Sequence, residues 1–248
     1  MIVDAFAPLL FGGRAVLVTG GTSGIGLACA QAFRDLGAEV IATGATEAER
    51  GRASDEASNT GISFAVLDVR DAAAIDNLLK PMDPLHALIN AAGVIRRDVE
   101  HEPDVFADVI DINLNGTMRV CSAARSKLRE AQGSVVNVAS MLTFFGGPRV
   151  PAYSASKGGI GQLTKSLAAA WAADGIRVNA VAPGWITTPL TQALQDDPER
   201  SRPILSRTPM GRWGTPEEVA GGVVFLTSPA ARFVTGAILA IDGGYLTM

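Results

Sequence analysis

Several features are scarce or missing in the sequence, and each absence excludes a class of protein. Its 248 residues include only two cysteines, Cys29 and Cys121, which are too few for a disulfide framework. Both lie in segments of helical pattern, so we expect small core residues in a reducing compartment. No run of about 18 uninterrupted apolar residues occurs, and the apolar N-terminus carries Asp4 and lacks a basic region. We therefore expect neither a membrane span nor a cleaved signal peptide.

An excess of positive charge is also missing. Lysine and arginine number 21 against 25 aspartates and glutamates, which gives a formal net charge of −4. No basic block stands out in this balance, so nucleic acid is not an expected partner. We predict a soluble, cytoplasmic protein that acts on a small molecule and has no metal site.

Short apolar runs alternate with segments of helical periodicity along the chain, and the longest helical segment spans 153–173. Apolar runs without polar alternation are typical of strands that are buried on both faces, as in parallel sheets covered by helices. The sequence therefore predicts one α/β domain over 1–248. Its expected fold is a Rossmann-like, doubly wound sheet of seven parallel strands with helices on both faces. The predicted strands are 15–19, 39–43, 63–68, 87–90, 134–140, 177–183 and 237–242.

Two further segments carry local signals. Thr215 precedes a proline at the first helical position and a glutamate at the third, which predicts a helix that begins with a capping box. The stretch 44–61 is strongly polar and has few apolar residues to bury. Any helix in this stretch is expected to be weak and exposed.

A glycine-rich turn follows the first predicted strand at once. Residues 19–26 read TGGTSGIG and lead directly into a helix. Glycines let the backbone approach a ligand closely, and the new helix directs free N–H groups and its positive end toward a pyrophosphate. The spacing of Gly20, Gly24 and Gly26 in this context predicts dinucleotide binding.

The adenosine end of such a cofactor is less well marked. The second strand ends in Ala42-Thr43-Gly44-Ala45, which offers neither a carboxylate for a ribose hydroxyl nor an arginine for a 2′-phosphate. The expected cofactor is therefore NAD or NADP, with the preference open. Asp68, at the end of the third strand, either accepts a hydrogen bond from the adenine amino group or caps the helix over 71–80.

Tyr153 and Lys157 begin the long helix four residues apart, so they share one of its faces. A neighbouring ammonium favours the tyrosinate, which would lower the pKa of Tyr153 toward the working pH and allow proton exchange with a substrate oxygen. Ser140 ends a predicted strand at the carboxyl edge, where doubly wound sheets bind ligands. Its hydroxyl could hold the same oxygen. Taken alone, the YxxxK pattern also fits a surface pair.

Six motifs, in this order, resemble the short-chain dehydrogenase/reductase family of classical type. They are TGGTSGIG, NAAG at 90–93, DINLNG at 111–116, Ser140, YSASK at 153–157 and PGWITTPL at 183–190. The resemblance covers the chain from about Arg14 to the C-terminal IDGG. It implies hydride transfer between a nicotinamide and a secondary alcohol or ketone. It also implies a homotetramer that assembles through helices 102–130 and 153–173.

The same resemblance implies four catalytic residues. Tyr153 is the expected acid and base, and Ser140 orients the substrate oxygen. Lys157 holds the nicotinamide ribose and lowers the pKa of Tyr153, and Asn113 holds a water that links Lys157 to solvent. Without the resemblance, Asn113 fits a helix kink with a self-bonding side chain. The implied cofactor-binding residues are Gly20, Thr22, Ser23, Gly24, Ile25, Gly26, Asp68, Val69, Asn90, Ala91, Gly93, Tyr153, Lys157, Pro183, Gly184, Ile186 and Thr188.

Three arginines suggest an anionic substrate. Arg96 and Arg97 follow the NAAG motif, and Arg149 lies four residues before Tyr153. The planar fork of arginine suits a carboxylate, although a loop arginine can also be simply solvated. We expect Arg96, rather than Arg97, to face the cleft. The predicted substrate residues are therefore Arg96, Arg149 and Ser140.

Four loops sharpen this prediction because they resemble gluconate dehydrogenases, including 2-deoxy-D-gluconate 3-dehydrogenases. They lie at 92–98, 140–157, 196–214 and 240–246. The implied substrate is a sugar acid or the matching keto acid. A 3-oxoacyl-carrier-protein reductase is the alternative enzyme, and a nucleotide-sensing scaffold on the same fold is the alternative that is not an enzyme. The segment 188–212 is expected to form a substrate lid of short helices broken by prolines.

Overall fold

The computed structural model describes residues 2–82 and 84–248, and these residues confirm the predicted fold. Met1 and Asp83 of the predicted domain 1–248 lie outside the described residues. One seven-stranded parallel sheet forms the centre of the described part, in the order β3-β2-β1-β4-β5-β6-β7. Its strands are β1 (Ala15–Thr19), β2 (Glu39–Gly44), β3 (Ile62–Val66), β4 (Ala87–Asn90), β5 (Ser134–Val138), β6 (Arg177–Pro183) and β7 (Ile238–Ile241).

Helices cover both faces of the sheet, as the uniformly apolar strands require. Val16 and Val18 of β1 point into a core cluster with α1 and α9, whereas Leu17 points into the opposite cluster with α3, α5 and α6. All three side chains are fully buried. The helices are α1 (Gly24–Asp35), α2 (Glu47–Asp55), α3 (Ala72–Leu79), α4 (Pro103–Ile110), α5 (Gly116–Ala131), α6 (Pro151–Trp171), α7 (Gln192–Gln195), α8 (Pro198–Arg207) and α9 (Pro216–Thr227).

Two strands end two residues earlier than predicted, β3 at Val66 and β5 at Val138, and one further departure lies in the helices. Thr215 accepts a hydrogen bond from the Glu218 amide while the Glu218 carboxylate accepts one from the Thr215 amide, so the predicted capping box is confirmed. The polar stretch after β2 forms α2, which is largely exposed and has its own capping box at Thr46. The departure is a π-helical turn over Asp111–Asn115, which separates α4 from α5 inside the predicted helical region 102–130.

The order of the strands determines where a ligand can bind. The chain runs outward from β1 through β2 to β3, and β4 then returns to the other side of β1. Loops that leave the carboxyl ends of β1 and β4 therefore diverge and open a crevice between them. No helix in the described residues is long and apolar enough to cross a membrane.

Candidate active site

Two cavities adjoin at the carboxyl edge of the sheet. We call the first the glycine-loop cavity; it measures about 430 Å³ and is lined by the turn 20–26, the end of β2 and the segment 91–94. The second, the aromatic cavity, measures about 420 Å³ and is lined by Ser140, Phe145 and Tyr245 among others. Tyr153 lines both cavities. Groups bound on the two sides therefore meet at its phenol.

The turn 20–26 brings a helix N-terminus against the glycine-loop cavity. Ser23 is the N-cap residue of α1 but makes no capping hydrogen bond with its side chain. The first amides of α1 therefore remain available to a ligand, as a pyrophosphate requires. A Cβ on Gly26 would lie 2.2 Å from the carbonyl oxygen of Gly20, so only glycine allows this close return of the helix onto the turn. The cradle fits a dinucleotide phosphate bridge.

Most of the predicted cofactor residues line the glycine-loop cavity. They are Gly20, Thr22, Ser23, Gly24, Ile25, Gly26, Asp68, Val69, Ala91, Gly93, Tyr153, Lys157 and Thr188. Pro183, Gly184 and Ile186 line the aromatic cavity instead, and Thr188 lines both. The segment after β6 therefore borders the junction of the two cavities, where a nicotinamide ring would lie.

Asn90 is the exception among these residues. Its side chain points into the protein interior, where it donates hydrogen bonds to Asn137 Oδ1 at 2.9 Å and to Cys121 Sγ at 3.2 Å. Asn137 in turn donates to Thr164 Oγ1 at 2.9 Å. Asn90 lines neither cavity, and its side chain belongs to a buried polar chain beneath the site.

The rim of the glycine-loop cavity near the end of β2 carries charged groups that already have partners. Asp68 pairs with Arg70 at 2.7 Å, and this hydrogen bond holds the pKa of Asp68 below its usual range. Asp71, not Asp68, caps α3 by accepting from the Ala74 amide at 3.0 Å. The carboxylate of Glu49 accepts a hydrogen bond from the Ala45 amide at 2.7 Å. Asp68 therefore does not cap α3, and the helix-cap alternative for this residue is wrong.

Ser140, Tyr153 and Lys157 converge where the two cavities meet. Lys157 Nζ lies 5.5 Å from the ring centroid of Tyr153 and donates to the Val138 carbonyl oxygen at 2.7 Å. The lysine is almost fully buried, and burial lowers its pKa to about 8. Ser140 lies two residues beyond the end of β5 and caps a short 3-10 turn, in which its hydroxyl accepts from the Leu142 amide. Ser140 and Tyr153 therefore share the aromatic cavity, whereas Lys157 lies beside Tyr153 on the glycine-loop side.

The pKa of Tyr153 departs from the sequence-based expectation. Burial raises this pKa above its ordinary value, and the nearby Glu100 carboxylate raises it further. Hydrogen bonding with Ser140 and the charge of Arg97 lower it, but burial is the largest cause. Lys157 is not among the groups that set this pKa, so the expected lowering by Lys157 is not found. Tyr153 is therefore a neutral phenol, and hence a proton donor, at neutral pH.

Asn113 lies within the π-helical turn and is fully buried. Its side chain accepts from the Val94 amide at 2.8 Å and donates to the Val94 carbonyl at 2.9 Å. It also donates to Ser156 Oγ at 3.1 Å, and Ser156 donates to the Tyr153 carbonyl oxygen. The backbone is therefore irregular at Asn113, in agreement with the predicted helix kink. The side chain, however, connects the loop after β4 with α6 and lines neither cavity.

The arginines are arranged differently from the sequence-based expectation. Arg96 is exposed and pairs with Asp108, so it lies outside the aromatic cavity. Arg97 is the one that lines this cavity, and it forms no ion pair within residues 2–82 and 84–248. Arg149 also lines the cavity, but its guanidinium pairs with Asp98. The expectation that Arg96, rather than Arg97, faces the cleft is therefore wrong.

The turn itself explains this reversal. Asp98 adopts a positive φ of 74°, and the Arg96 carbonyl accepts from the Val99 amide, which closes a tight turn. The Asp98 amide donates to the Arg149 carbonyl oxygen at 2.9 Å and ties the turn to the segment before α6. Adjacent residues of such a turn diverge, and tertiary contacts decide which of them faces the cleft.

Sequence reasoning missed three side chains of the aromatic cavity, Phe145, Arg207 and Tyr245; the fourth, Trp185, lies within the predicted motif 183–190. The Arg207 guanidinium carbon lies 4.3 Å from the ring centroid of Tyr245 and 5.3 Å from that of Phe145. Arg207 ends α8 and forms no ion pair in the described part of the chain. The sequence signal for Arg207 was the loop 196–214, which carries seven arginine or acidic positions without a periodic pattern.

Comparisons with known proteins agree with this geometry. A family model described as enoyl-(acyl carrier protein) reductase matches residues 20–246. The chain is 41% identical to 2-dehydro-3-deoxy-D-gluconate 5-dehydrogenase of Pseudoalteromonas atlantica over 94% of this chain and 96% of that protein. It is 42% identical to galactitol 2-dehydrogenase of Rhizobium johnstonii, over 94% and 95% respectively.

A solved structure agrees as well. Gluconate 5-dehydrogenase from Burkholderia cenocepacia, in complex with NADP and tartrate, superposes with a TM-score of 0.87 at 34% identity and covers 96% of each chain. These relatives are dehydrogenases, which decides against a scaffold without activity. The chain belongs to the short-chain dehydrogenase/reductase family and is an NAD(P)-dependent oxidoreductase that acts on CH–OH groups.

Proposed function

We propose that this oxidoreductase interconverts a secondary hydroxyl of a sugar acid and the matching keto group. The observation that carries the proposal is the position of Arg97. Its guanidinium has no carboxylate partner among the described residues and lines the same cavity as Tyr153 and Ser140. A half-buried, unpaired guanidinium is a strong attraction for a carboxylate. Relatives named for sugar acids support the same substrate class.

The positions of the side chains support the following catalytic roles. Ser140 holds the substrate oxygen, and Tyr153 donates a proton to it during reduction or removes one during oxidation. Lys157 contacts the cofactor side, where it lines the glycine-loop cavity beside the tyrosine ring. Asn113 holds the loop after β4 against α6. When bound, NAD or NADP supplies or accepts the hydride.

A second cation strengthens the case for an anionic substrate. Arg207 reaches the aromatic cavity from α8, and the two flanking rings of Phe145 and Tyr245 restrict its guanidinium. Stacking of this kind reduces the freedom that an arginine loses when it binds an oxyanion. Arg97 and Arg207 therefore offer two positively charged contacts on opposite elements of one cavity.

Neighbouring arginines provide the test. We expect Arg97→Ala to raise KM for D-gluconate or 2-dehydro-3-deoxy-D-gluconate roughly 10- to 100-fold. This fold-change corresponds to the free energy that one charge-assisted hydrogen bond contributes to binding. Activity toward galactitol, which has no charge, should change less than about threefold. Arg96→Ala is the matched control, since its side chain pairs with Asp108 outside the cavity. Equal effects of Arg97→Ala on the acid and the polyol would refute the carboxylate contact.

A second experiment distinguishes the proposed enzyme from the alternative, a 3-oxoacyl-carrier-protein reductase. A substrate panel with both sugar acids and 3-oxoacyl thioesters, run with NADH and NADPH separately, reports substrate class and cofactor preference together. Sugar acids are the expected substrates. A clear preference of the wild-type enzyme for thioesters, or for galactitol over every sugar acid, would refute the proposed substrate.

The segment 188–212 is proposed to act as the substrate lid. It carries α7 and α8, and Pro198 begins α8 behind the Asp197 cap. Its Leu190 is about half exposed at the mouth of both cavities. Hydrogen exchange in this segment should slow when cofactor and a sugar acid bind together. Equal exchange with and without ligands would argue against a lid.

The assembly and location of the protein are proposed as well. Phe106 on α4 and Met118 on α5 are each 37% exposed, which favours contact with further copies in a homotetramer. Light scattering at micromolar concentration should give four times the chain mass of 25.7 kDa, and a monomer mass would refute this.

Both cysteines are free and buried, which fits action in the cytoplasm. Fractionation of cells that express the protein tests this location.

A further inference from the structure

Glu100 is a fully buried carboxylate close to the site that no catalytic role accounts for. Its exposed fraction is 0%, although glutamate is among the residues least often buried. No lysine or arginine forms an ion pair with it in residues 2–82 and 84–248. Two main-chain amides satisfy it instead: Oε1 accepts from Arg96 N at 2.8 Å, and Oε2 accepts from Tyr153 N at 2.8 Å.

Each of these amides belongs to a functional segment. Tyr153 is the third residue of α6, so its amide has no acceptor within the helix. Val150, the N-cap residue, makes no side-chain capping bond. Glu100 therefore caps the catalytic helix from a position 53 residues earlier in the chain, and its negative charge lies at the positive end of that helix.

The Arg96 amide begins the turn that presents Arg97 to the aromatic cavity. One carboxylate thus bridges the turn with the proposed anion contact and the helix with the proposed acid and base. We propose that Glu100 is a positioning residue that fixes Arg97 relative to Tyr153, and so couples recognition of the substrate carboxylate to proton transfer. This proposal rests on the proposed roles of Arg97 and Tyr153.

Geometry gives the expected effect of changing this residue. Aspartate keeps the charge but is one methylene shorter, so it cannot reach both amides. Displacement of a catalytic group by about 1 Å can cost up to about 100-fold in rate. Glutamine keeps the shape but turns an NH₂ group toward one of the two amides. It also removes the negative charge that raises the pKa of Tyr153.

The test uses Glu100→Asp, Glu100→Gln and the control Glu102→Gln. Glu102 lies on the same loop, is exposed and makes no side-chain capping bond. We expect both Glu100 variants to lower kcat at least about tenfold and to raise KM more for a sugar acid than for galactitol. Glu102→Gln should match the wild type in both quantities.

Ultraviolet titration of tyrosinate gives a readout that does not depend on activity. The chain has only two tyrosines, so Tyr245→Phe leaves Tyr153 as the single titrating phenol. In that background, Glu100→Gln should move the midpoint to lower pH, whereas Glu100→Asp should leave it near the wild-type position. The charged groups that face this phenol are Arg97, Glu100 and Lys157.

Two results would overturn the proposal. The first is a kcat within twofold of wild type in Glu100→Asp. The second is an unshifted Tyr153 midpoint in Glu100→Gln together with normal kinetics; if that variant does not fold, Glu100→Asp alone decides. Failure of the sugar-acid assignment is recognised separately, because kcat toward galactitol and the Tyr153 titration still report on Glu100.

Discussion

Replacing Lys157 by methionine should make the protein inactive but more stable at neutral pH. Lys157 is charged and buried, and it donates a hydrogen bond to the Val138 carbonyl. Burial lowers its pKa from 10.5 to about 8 in the folded protein. Since a tenfold change in a proton-binding constant is about 1.4 kcal/mol, the charged lysine costs about 3 kcal/mol below pH 8.

The net gain is smaller because the substitution also removes a hydrogen bond. Leaving the Val138 carbonyl without its donor costs about 1 kcal/mol. Methionine has nearly the same length and carries no charge, so it fills the space of the lysine without the cost of a buried ammonium. We therefore expect Lys157→Met to raise the free energy of unfolding by about 2 kcal/mol at pH 7, and Tm by about 4 to 8 °C for a chain of this size.

The pH dependence of the stability difference distinguishes the buried charge of Lys157 from other causes. Between pH 8 and 10.5 the unfolded lysine binds more protons than the folded one, so wild-type stability rises with pH through this window. The variant lacks this contribution, and its advantage should disappear as the pH approaches 10.5. Urea denaturation at equal protein concentration, at several values between pH 7 and 10.5, measures the difference. A variant less stable than wild type at pH 7 would refute the reasoning.

Three further predictions concern the cofactor and pH. Gly26→Ala places a methyl group 2.2 Å from the Gly20 carbonyl oxygen, so calorimetry should show cofactor affinity reduced at least about tenfold; unchanged affinity would contradict the cradle. Glu49→Gln removes a carboxylate from the rim of the glycine-loop cavity, so the kcat/KM ratio of NADPH to NADH should rise roughly threefold or more; a fall would contradict this. Because burial raises the pKa of Tyr153, alcohol oxidation should still accelerate with pH above neutrality; a plateau already at pH 7 would count against Tyr153 as the base.

The fold could be predicted from sequence because its determinants are local and repeated. Apolar runs such as 15–19 and 177–183 have the length and composition of buried parallel strands, and both are strands in the structure. The turn 20–26 follows β1 and precedes α1 as its glycines require. Tyr153 and Lys157 could be placed because four residues along a helix bring side chains to one face.

Side-chain direction in loops could not be predicted in the same way. Whether Arg96 or Arg97 faces the cavity depends on a positive φ at Asp98 and on contacts with residues about 50 positions away. The pKa of Tyr153 depends on burial, which the YxxxK spacing does not report. Asn90 sits in a motif beside the cofactor, yet its side chain bonds across to β5. Each miss came from a tertiary contact that outweighed a local signal.

The buried chain from Asn90 through Asn137 to Thr164 has a consequence for the orientation of α6. Asn90 and Asn137 are direct partners in the β4–β5 register, and Thr164 lies seven residues, or about two turns, beyond Lys157. The hydrogen bond to Thr164 therefore locks α6 against rotation about its own axis relative to the sheet. A rotation of even one residue would swing Tyr153 away from Ser140 by about 100°. The alignment of the proton donor is thus set from the buried interior, about three turns along α6 from Tyr153.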